Sequence, residues 1–372
     1  MVAGKRRRGF RLRRAALCMV FGTALATALA ACGSAAGPTT ATVADTQSET
    51  LNEAGSTLLL PLMKIWAQAY EQQHPGVTVN TAGGGSSIGI QAAAKGTADI
   101  GGSDAYLSSG DVVQTPTLLN IPLAVSAQTV VYNLQGVTGN VRLNGQVLAA
   151  IYQGKITTWD DPAITALNPH LNLPPTKIVP FHRKDGSGDT FLFTSYLSTQ
   201  DSGWNNAIGY GTTVNWPIPG EEETGNANMV TGCKGVDGCV AYIGISYLQT
   251  ATADGLGEAQ LDNAAGNPEL PTAQSVSAAL DSFVSITPPN ETISLIDGPA
   301  ANGYPVINYE YAVVSSRQPS AVKASALRAF LTWLITTGNK PATTYLNQVD
   351  FQPLPSALVA LGKQQIEEIT GP

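Results

Sequence analysis

Alternation between strand-like and helix-like patterns over most of the chain restricts the possible folds. Short runs of apolar and β-branched residues are followed by stretches with apolar residues at helical spacing. We predict strands at residues 77–79, 98–100, 121–134, 178–181, 241–245 and 306–314, and helices at residues 59–70, 88–95, 148–152, 190–197, 321–337 and 355–369. This alternation predicts an α/β architecture with mostly parallel sheets, in which ligands bind beyond the carboxyl ends of the strands.

The first 31 residues have the organisation of an export signal. Seven basic residues between Lys5 and Arg14 precede an apolar run at 15–30, which is short for a membrane span. The run ends in Leu29-Ala30-Ala31-Cys32-Gly33, the pattern of a lipobox. We predict cleavage before Cys32 and the attachment of diacylglycerol and palmitate there, which would hold the protein on the extracytoplasmic face of the cell membrane. An ordinary cleaved signal and an uncleaved anchor are the alternatives.

Residues 32–50 are rich in Ser, Thr, Ala and Gly, which predicts a flexible tether between the lipid and the globular part. Removal of the signal takes away seven positive and no negative charges, so the net charge moves from −7 to −14. A chain this acidic is not expected to bind nucleic acid, and any anion site in it must act through local hydrogen bonds. The roughly 320 remaining residues suit two lobes better than one core.

Few residues could bind a metal. Cys233 and Cys239 remain besides Cys32, and in an oxidising compartment we expect them to form a disulfide that closes a small glycine-rich loop. The three histidines do not stand at metal-binding spacing. We therefore predict neither a metal nor a cofactor.

Three polar loops of one kind stand at strand-to-helix junctions. They contain Ser56-Thr57, Ser86-Ser87 and Ser187-Gly188-Asp189. Any one of them is explained by helix capping, because Ser and Thr are good N-cap residues. Three such loops, with Arg183 and Asp104 at similar strand ends, indicate a shared tetrahedral oxyanion, because helix N-termini present unpaired N–H groups to anions.

These loops belong to a set of motifs that resembles the phosphate-binding proteins of phosphate ABC importers, the PstS family. The motifs keep the family's order over residues 52–365, and they are Ala54–Leu58, Gly84–Ser87, Gly102–Ala105, Tyr152–Trp159, Arg183–Gly188 and Phe193–Leu197. The resemblance is strongest to the mycobacterial branch, whose members are lipoproteins with a similar Asp-Gly-Ser-Gly-Asp-Thr loop and a cysteine pair.

The resemblance implies a two-lobed periplasmic-binding-protein-like fold of class II, with phosphate in the cleft between the lobes. Lobe one would comprise residues 51–132 and 303–372, and lobe two residues 133–302. It also implies a monomer that is not an enzyme and that delivers inorganic phosphate to the transmembrane permease subunits of an ABC importer.

Carried over by position, the resemblance implies a phosphate site of nine residues with Asp185 in a supporting role. Thr57 and Ser86 would donate hydroxyl groups, Leu58 and Ser86 backbone N–H groups, and Arg183, held by Asp185, would pair with the anion. The nine residues are Ser56, Thr57, Leu58, Ser86, Asp104, Arg183, Ser187, Gly188 and Asp189. Many family members have Thr in place of Asp189, and a carboxylate there can accept a phosphate proton or contribute only its backbone N–H.

The residue that would select phosphate is Asp104. Phosphate near neutral pH carries at least one proton and sulfate carries none, so an ionised carboxylate accepts a hydrogen bond from phosphate and repels sulfate. Without the resemblance, a surface carboxylate that caps a helix would be the favoured explanation of Asp104.

Two other functions fit parts of the sequence. A binding protein for sulfate or molybdate would use the same loops. A secreted serine esterase would use Gly85-Ser86-Ser87-Ile88-Gly89, which matches G-x-S-x-G, with Ser87 as nucleophile and Asp104 and His182 as partners. No histidine follows His182, which disfavours the esterase.

Overall fold

A mixed β-sheet forms the centre of the molecule in the computed structural model, which describes residues 48–372. The predicted strands and helices recur there with bounds shifted by a few residues, and the α/β fold class is confirmed. The strands are β1 (Glu49–Gly55), β2 (Val77–Gly83), β3 (Ile100–Ser103), β4 (Leu118–Tyr132), β5 (Arg142–Leu143), β6 (Val179–Arg183), β7 (Glu221–Glu223), β8 (Cys239–Gly244), β9 (Gly257–Glu258), β10 (Gln260–Asp262), β11 (Pro268–Glu269) and β12 (Ile307–Ser315).

Helices cover the sheet, and four short 3₁₀ turns add to them at residues 245–247, 284–286, 341–343 and 346–349. The α-helices are α1 (Leu60–Gln73), α2 (Ser86–Lys95), α3 (Ser109–Gln114), α4 (Gly145–Tyr152), α5 (Pro162–Leu167), α6 (Gly188–Gln200), α7 (Ser202–Ala207), α8 (Gly225–Lys234), α9 (Leu248–Ala253), α10 (Ala273–Asp281), α11 (Ala321–Ile335) and α12 (Ser356–Glu367).

Strand order in the main sheet is β2-β1-β3-β12-β4-β8-β6-β7, and β9 also pairs with β4. The β1–β2, β1–β3, β6–β7 and β6–β8 pairs are parallel, whereas β12 and β4 run antiparallel to their neighbours. The expectation of mostly parallel sheets is therefore wrong for the central strands. These long strands join two outer groups of parallel strands, and neither is followed by a crossover helix that returns to a parallel neighbour.

The long strand β4 has different partners along its length. Residues 118–127 pair with β12, and residues 128–132 pair with β8. We call β1, β2, β3, β12 and the first part of β4 the first sheet half, and the second part of β4 with β6, β7, β8 and β9 the second sheet half. The described residues nevertheless form one compact unit, and the two-lobe boundaries stay a prediction.

Strand β1 was not predicted, and it begins at Glu49, inside the residues expected to form the tether. Its inward-facing residues are Leu51, Glu53 and Gly55, so a buried glutamate interrupts the apolar pattern. Burial raises the pKa of Glu53 to about 8, so it is largely neutral at pH 7. A protonated carboxyl inside a strand looks polar in the sequence although it lies in the core.

Candidate anion-binding site

The predicted site residues converge where strands of both sheet halves end. Ser56 follows β1, Asp104 follows β3 and Arg183 ends β6, while Ser86 and Gly188 begin α2 and α6. The side chains of Ser56, Ser86, Asp104, Arg183, Ser187 and Asp189 are all buried. The structure thus brings together residues that are up to 133 positions apart in the sequence, at the carboxyl ends of parallel strands, where α/β proteins bind ligands.

Asp104 stands among hydroxyl and backbone groups rather than on the surface. The Ser56 hydroxyl donates a hydrogen bond to its Oδ1, and its own N–H donates to Ser86 Oγ at 3.1 Å. The Ser56 Oγ also accepts the Leu59 N–H at 2.9 Å, so it organises the turn that precedes α1. Burial raises the pKa of Asp104, and the Ser56 hydroxyl and the charge of Arg183 partly oppose that rise.

At Gly188 the second sheet half comes very close to the loops of the first. A Cβ atom on this residue would lie 2.2 Å from Asp104 Oδ2 and 2.4 Å from Ser86 Oγ. The backbone at Gly188 is not in the left-handed region, so space rather than conformation requires glycine here. The N-terminus of α6 therefore lies directly against the loops that follow β2 and β3.

Arg183 is held by two carboxylates. Its Nε donates to Asp185 Oδ1 at 2.7 Å, and its Nη1 donates to Asp189 Oδ2 at 2.8 Å. Its Nη2 donates to Thr57 Oγ1 at 3.2 Å, across the two sheet halves. Burial alone would lower the pKa of Arg183, but the two carboxylates together raise it, so the guanidinium stays charged. Because Asp185 and Asp189 balance the charge of Arg183, its electrostatic attraction for an anion is weakened.

Several backbone donors at the site have no acceptor within the described residues. These are the N–H groups of Leu58, Ser86, Gly188 and Asp189, none of which takes part in the hydrogen bonds of residues 48–372. Three of the four belong to the first turns of α2 and α6, where helix geometry leaves N–H groups unpaired. Such donors, at the positive ends of two helix dipoles, favour an anion.

Asp189 is the least expected member of the site. Its Oδ2 accepts hydrogen bonds from Arg183 and, at 2.7 Å, from Asn226 Nδ2. Its Oδ1 is buried and has no partner among the described residues. Burial, with repulsion from Asp104, raises the pKa of Asp189 to about 7, although Arg183 opposes the rise. One buried oxygen of this carboxyl group is therefore still able to accept or hold a proton.

Two residues that contact the candidate site were not predicted from the sequence. Asn226, near the start of α8, donates to Thr57 Oγ1 at 3.0 Å and accepts the Gly244 N–H at 2.8 Å. The Tyr242 hydroxyl accepts the Arg183 N–H at 2.9 Å. Neither residue stands in a motif, because an Asn after Gly and a Tyr in a buried strand are common in any α/β chain.

The residues of the alternative esterase do not form a catalytic group. Ser87 Oγ donates to Thr212 Oγ1 at 2.9 Å, and its N–H donates to the Gly186 carbonyl at 3.0 Å. The His182 ring stacks on Trp216, with 4.7 Å between ring centroids. Asp104 bonds to Ser56 and not to His182. These contacts give Ser87 no general base.

Cys233 and Cys239 form a disulfide in the structure, with 5.4 Å between their Cα atoms. It links the last turn of α8 to the first residue of β8, and both cysteines are buried. The other predicted cysteine function, lipidation of Cys32, lies outside the described residues, as does the signal segment. No helix within residues 48–372 is long and apolar enough to cross a membrane.

Comparison with known proteins decides the family. Residues 39–337 match the PBP superfamily domain. The phosphate-binding protein PstS of Methanocaldococcus jannaschii is 35% identical over 78% of this chain and 79% of its own length. The chain belongs to the PstS family. PstS3 of Mycobacterium bovis is 31% identical over 78% of this chain and 80% of its own length, so the predicted family, with mycobacterial members among the relatives, is confirmed.

Solved structures agree with this PstS family fold. A high-affinity periplasmic phosphate-binding protein (PfluDING) bound with phosphate covers 87% of this chain with a TM-score of 0.66. The match includes 99% of that chain, at 22% identity. The periplasmic-binding-protein-like fold predicted from the sequence is thus confirmed, and the site lies on a PstS scaffold.

Proposed function

We propose that the protein captures inorganic phosphate outside the cytoplasm and delivers it to the permease subunits of an ABC importer. The relatives named PstS are phosphate-binding proteins, and this chain covers 79% of the one from Methanocaldococcus jannaschii. Within residues 48–372, the unpaired N–H groups of Leu58, Ser86, Gly188 and Asp189 stand near the buried carboxylate of Asp104, which supports phosphate binding by this chain as well. This buried acceptor among donors, Asp104, is the observation that carries the proposal.

Selectivity follows from the chemistry of that acceptor. The donors of the site would bind phosphate, sulfate and molybdate alike, because all three offer oxygen acceptors. An ionised Asp104 adds an acceptor that only a protonated anion can satisfy. Against sulfate it leaves a buried charge facing another charge with no proton between them, and such an unpaired group costs affinity steeply.

Arg183 orients phosphate more than it neutralises it. Because Asp185 and Asp189 already pair with its guanidinium, the local charge is not positive. The anion would be held mainly by hydroxyl groups of Thr57 and Ser86 and by backbone N–H groups. A strongly acidic chain can hold an anion in this way, because local dipoles replace long-range attraction.

Asp189 is proposed as a second acceptor. Its Oδ1 has no partner within the described residues, although its Oδ2 has two. A second P–OH group of dihydrogen phosphate would donate to that oxygen. The alternative, in which Asp189 contributes only its N–H, predicts no change in selectivity when the carboxyl is replaced by an amide.

Isothermal titration calorimetry of the purified domain with phosphate, sulfate and molybdate tests the proposal. Tight one-to-one binding of phosphate, with sulfate and molybdate at least about a hundredfold weaker, is expected, because one unsatisfied buried group costs about 1–3 kcal/mol and a charge costs more. Preference for sulfate or molybdate would establish a different oxyanion as the ligand. The protein is expected to stay monomeric throughout.

The two-lobe organisation and the lipid anchor belong to the same proposal. The change of partner along β4 between residues 127 and 128 supports a division into residues 51–132 with 303–372 and residues 133–302. The lipobox supports attachment to the membrane through Cys32. Replacement of Cys32 by Ala should abolish lipid labelling and membrane retention, and a lipid-labelled mature form of that variant would contradict the lipobox assignment.

A further inference from the structure

A second buried carboxyl group lies behind Asp104. Glu310, in β12, is completely buried, and the pairing of β12 with β4 shifts register directly after it. The extra residue is Leu123 of β4, opposite the step from Glu310 to Tyr311, and irregularities of this kind occur frequently beside functional sites. Glu310 is not among the predicted site residues, because nothing in the run Val306–Val314 distinguishes it from a surface position on an edge strand.

The two oxygens of Glu310 have different surroundings. Its Oε1 accepts hydrogen bonds from Ser126 Oγ at 2.6 Å and from Asn308 Nδ2 at 2.9 Å. Its Oε2 is buried and receives no hydrogen bond from any described donor. An oxygen that accepts two hydrogen bonds acts as the carbonyl of a carboxylic acid, and the oxygen without a donor is the one that carries the proton.

The Glu310 carboxyl lies beside Asp104, because Asn308 Nδ2 donates both to Glu310 Oε1 at 2.9 Å and to the Asp104 carbonyl at 3.4 Å, and because Tyr311, the next residue after Glu310, pairs with Ser103 across β12 and β3. Two neighbouring buried carboxyl groups do not both ionise readily, which favours one proton shared by the pair. Burial raises the pKa of Glu310 well above its ordinary value, and the charge of Asp104 raises it further. Asp104 is also buried, but the Ser56 hydroxyl and the Arg183 charge favour its ionised form.

The charged groups around the two carboxyl groups also favour an ionised Asp104 and a protonated Glu310. On the ligand side, the charge of Arg183 opposes the rise in the pKa of Asp104, and the charge of Asp104 in turn raises the pKa of Asp189. Around Glu310, the contacts come from the neutral groups Ser126 and Asn308 and from Asp104 itself. The cation thus stabilises negative charge on Asp104 and not on Glu310.

We propose that Glu310 holds a proton and donates it in a hydrogen bond to Asp104, which keeps Asp104 an ionised acceptor directed at the ligand. Glu310 is therefore a positioning residue for the selectivity of the site, and this inference rests on the proposed function. In the opposite arrangement, a protonated Asp104 would donate a hydrogen bond and the site would accept sulfate.

The location of the proton is measured without any ligand. Infrared spectra of the ligand-free protein at pH 7 report each protonated carboxyl through its carbonyl stretch. Glu310→Gln should lose one such band, whereas Asp104→Asn should keep it at a shifted frequency. Loss of the band in Asp104→Asn and its retention in Glu310→Gln would overturn the proposal.

Glu291→Gln is the matched control for the band. Glu291 is also completely buried, and burial raises its pKa to about 8. Its Oε2 accepts a hydrogen bond from Gln365 Nε2 at 2.7 Å, away from the described site. This variant should lose its own acid band and leave ligand selectivity unchanged. The infrared comparison holds whether or not the protein binds phosphate, so it separates this inference from the proposed function.

Binding gives the second readout. In Glu310→Gln the amide can donate to Asp104 while its oxygen accepts from Ser126 and Asn308, so the preference for phosphate over sulfate should stay within about threefold of wild type. Glu310→Met has a similar size and no donor, so Asp104 loses its partner and the preference should fall by about tenfold or more. Equal preference in Glu310→Met and wild type would contradict the positioning role, and the infrared result decides if that variant fails to fold.

Discussion

A single methyl group at Gly188 should separate the two sheet halves. The substitution Gly188→Ala places a Cβ atom 2.2 Å from Asp104 Oδ2 and 2.4 Å from Ser86 Oγ, well inside van der Waals contact. Neither neighbour can move freely, because both side chains are buried and Asp104 is fixed by Ser56. Since the backbone of Gly188 suits alanine, the effect is one of space alone.

The magnitude follows from the cost of inserting a methylene-sized group into a packed interior, about 1–3 kcal/mol. Asp104 and Ser86 follow strands β3 and β2 of the first sheet half, and Gly188 follows β6 of the second, so the clash pushes apart loops that together form the proposed site. Phosphate affinity should therefore fall by roughly 5- to 150-fold, which is the same free energy expressed as a ratio.

Gly76→Ala is the matched control, because a Cβ atom there meets nothing within 4 Å and the backbone is not in the left-handed region. Calorimetric titration with phosphate should show wild-type affinity for this control and the loss for Gly188→Ala. Thermal unfolding of both variants checks that each is folded. If Gly188→Ala binds phosphate as tightly as wild type, the close packing of α6 against Asp104 is not part of the binding state.

Three further predictions concern charge, pH and the disulfide. Calorimetry should show that Arg183→Ala loses most of the phosphate affinity and that Arg183→Lys retains only part of it. The lysine ammonium cannot contact Asp185, Asp189 and Thr57 together. If Arg183→Lys binds phosphate as tightly as wild type, Arg183 is peripheral to the site. Burial raises the pKa of Asp189 to about 7, against about 3.9 when unfolded, so its contribution to the unfolding free energy should fall as pH rises through this interval. Denaturant titrations should show a steeper fall in wild type than in Asp189→Asn, in which Glu53 and Glu291, whose pKa values burial also raises, still contribute. Replacing Cys233 and Cys239 by Ser should lower the unfolding free energy by at most about 2–3 kcal/mol because the loop is short, and should leave phosphate affinity unchanged.

Local sequence signals identified the loops of the site but not their partners. Ser56, Ser86 and Ser187 stand beside glycines at strand-to-helix junctions, so a short window predicts each of them. Asn226 and Glu310 reach the site from α8 and β12, and their function depends on which strands are neighbours in the sheet. That order is not readable from a pattern of two or three residues.

The fold shows the same limit at Glu53 and at the central strands. The parallel outer strands follow from alternation, whereas the antiparallel direction of β4 and β12 depends on how the chain passes between the sheet halves. The buried Glu53 hid β1, because a sequence does not show that burial makes a carboxyl neutral. Both errors arise where tertiary packing changes what a residue does locally.

Recognition of a proton by Asp104 is the central claim, and it is tested by titrating sulfate and phosphate into wild type, Asp104→Asn, Asp189→Asn and the double variant. Asp104→Asn exchanges one acceptor oxygen for a donor of the same size, so sulfate binding should appear, with little loss of phosphate affinity. If Asp189 is the second acceptor, the double variant should accept sulfate more readily than either single variant. Equal rejection of sulfate by all four proteins would show that these carboxylates do not set the selectivity.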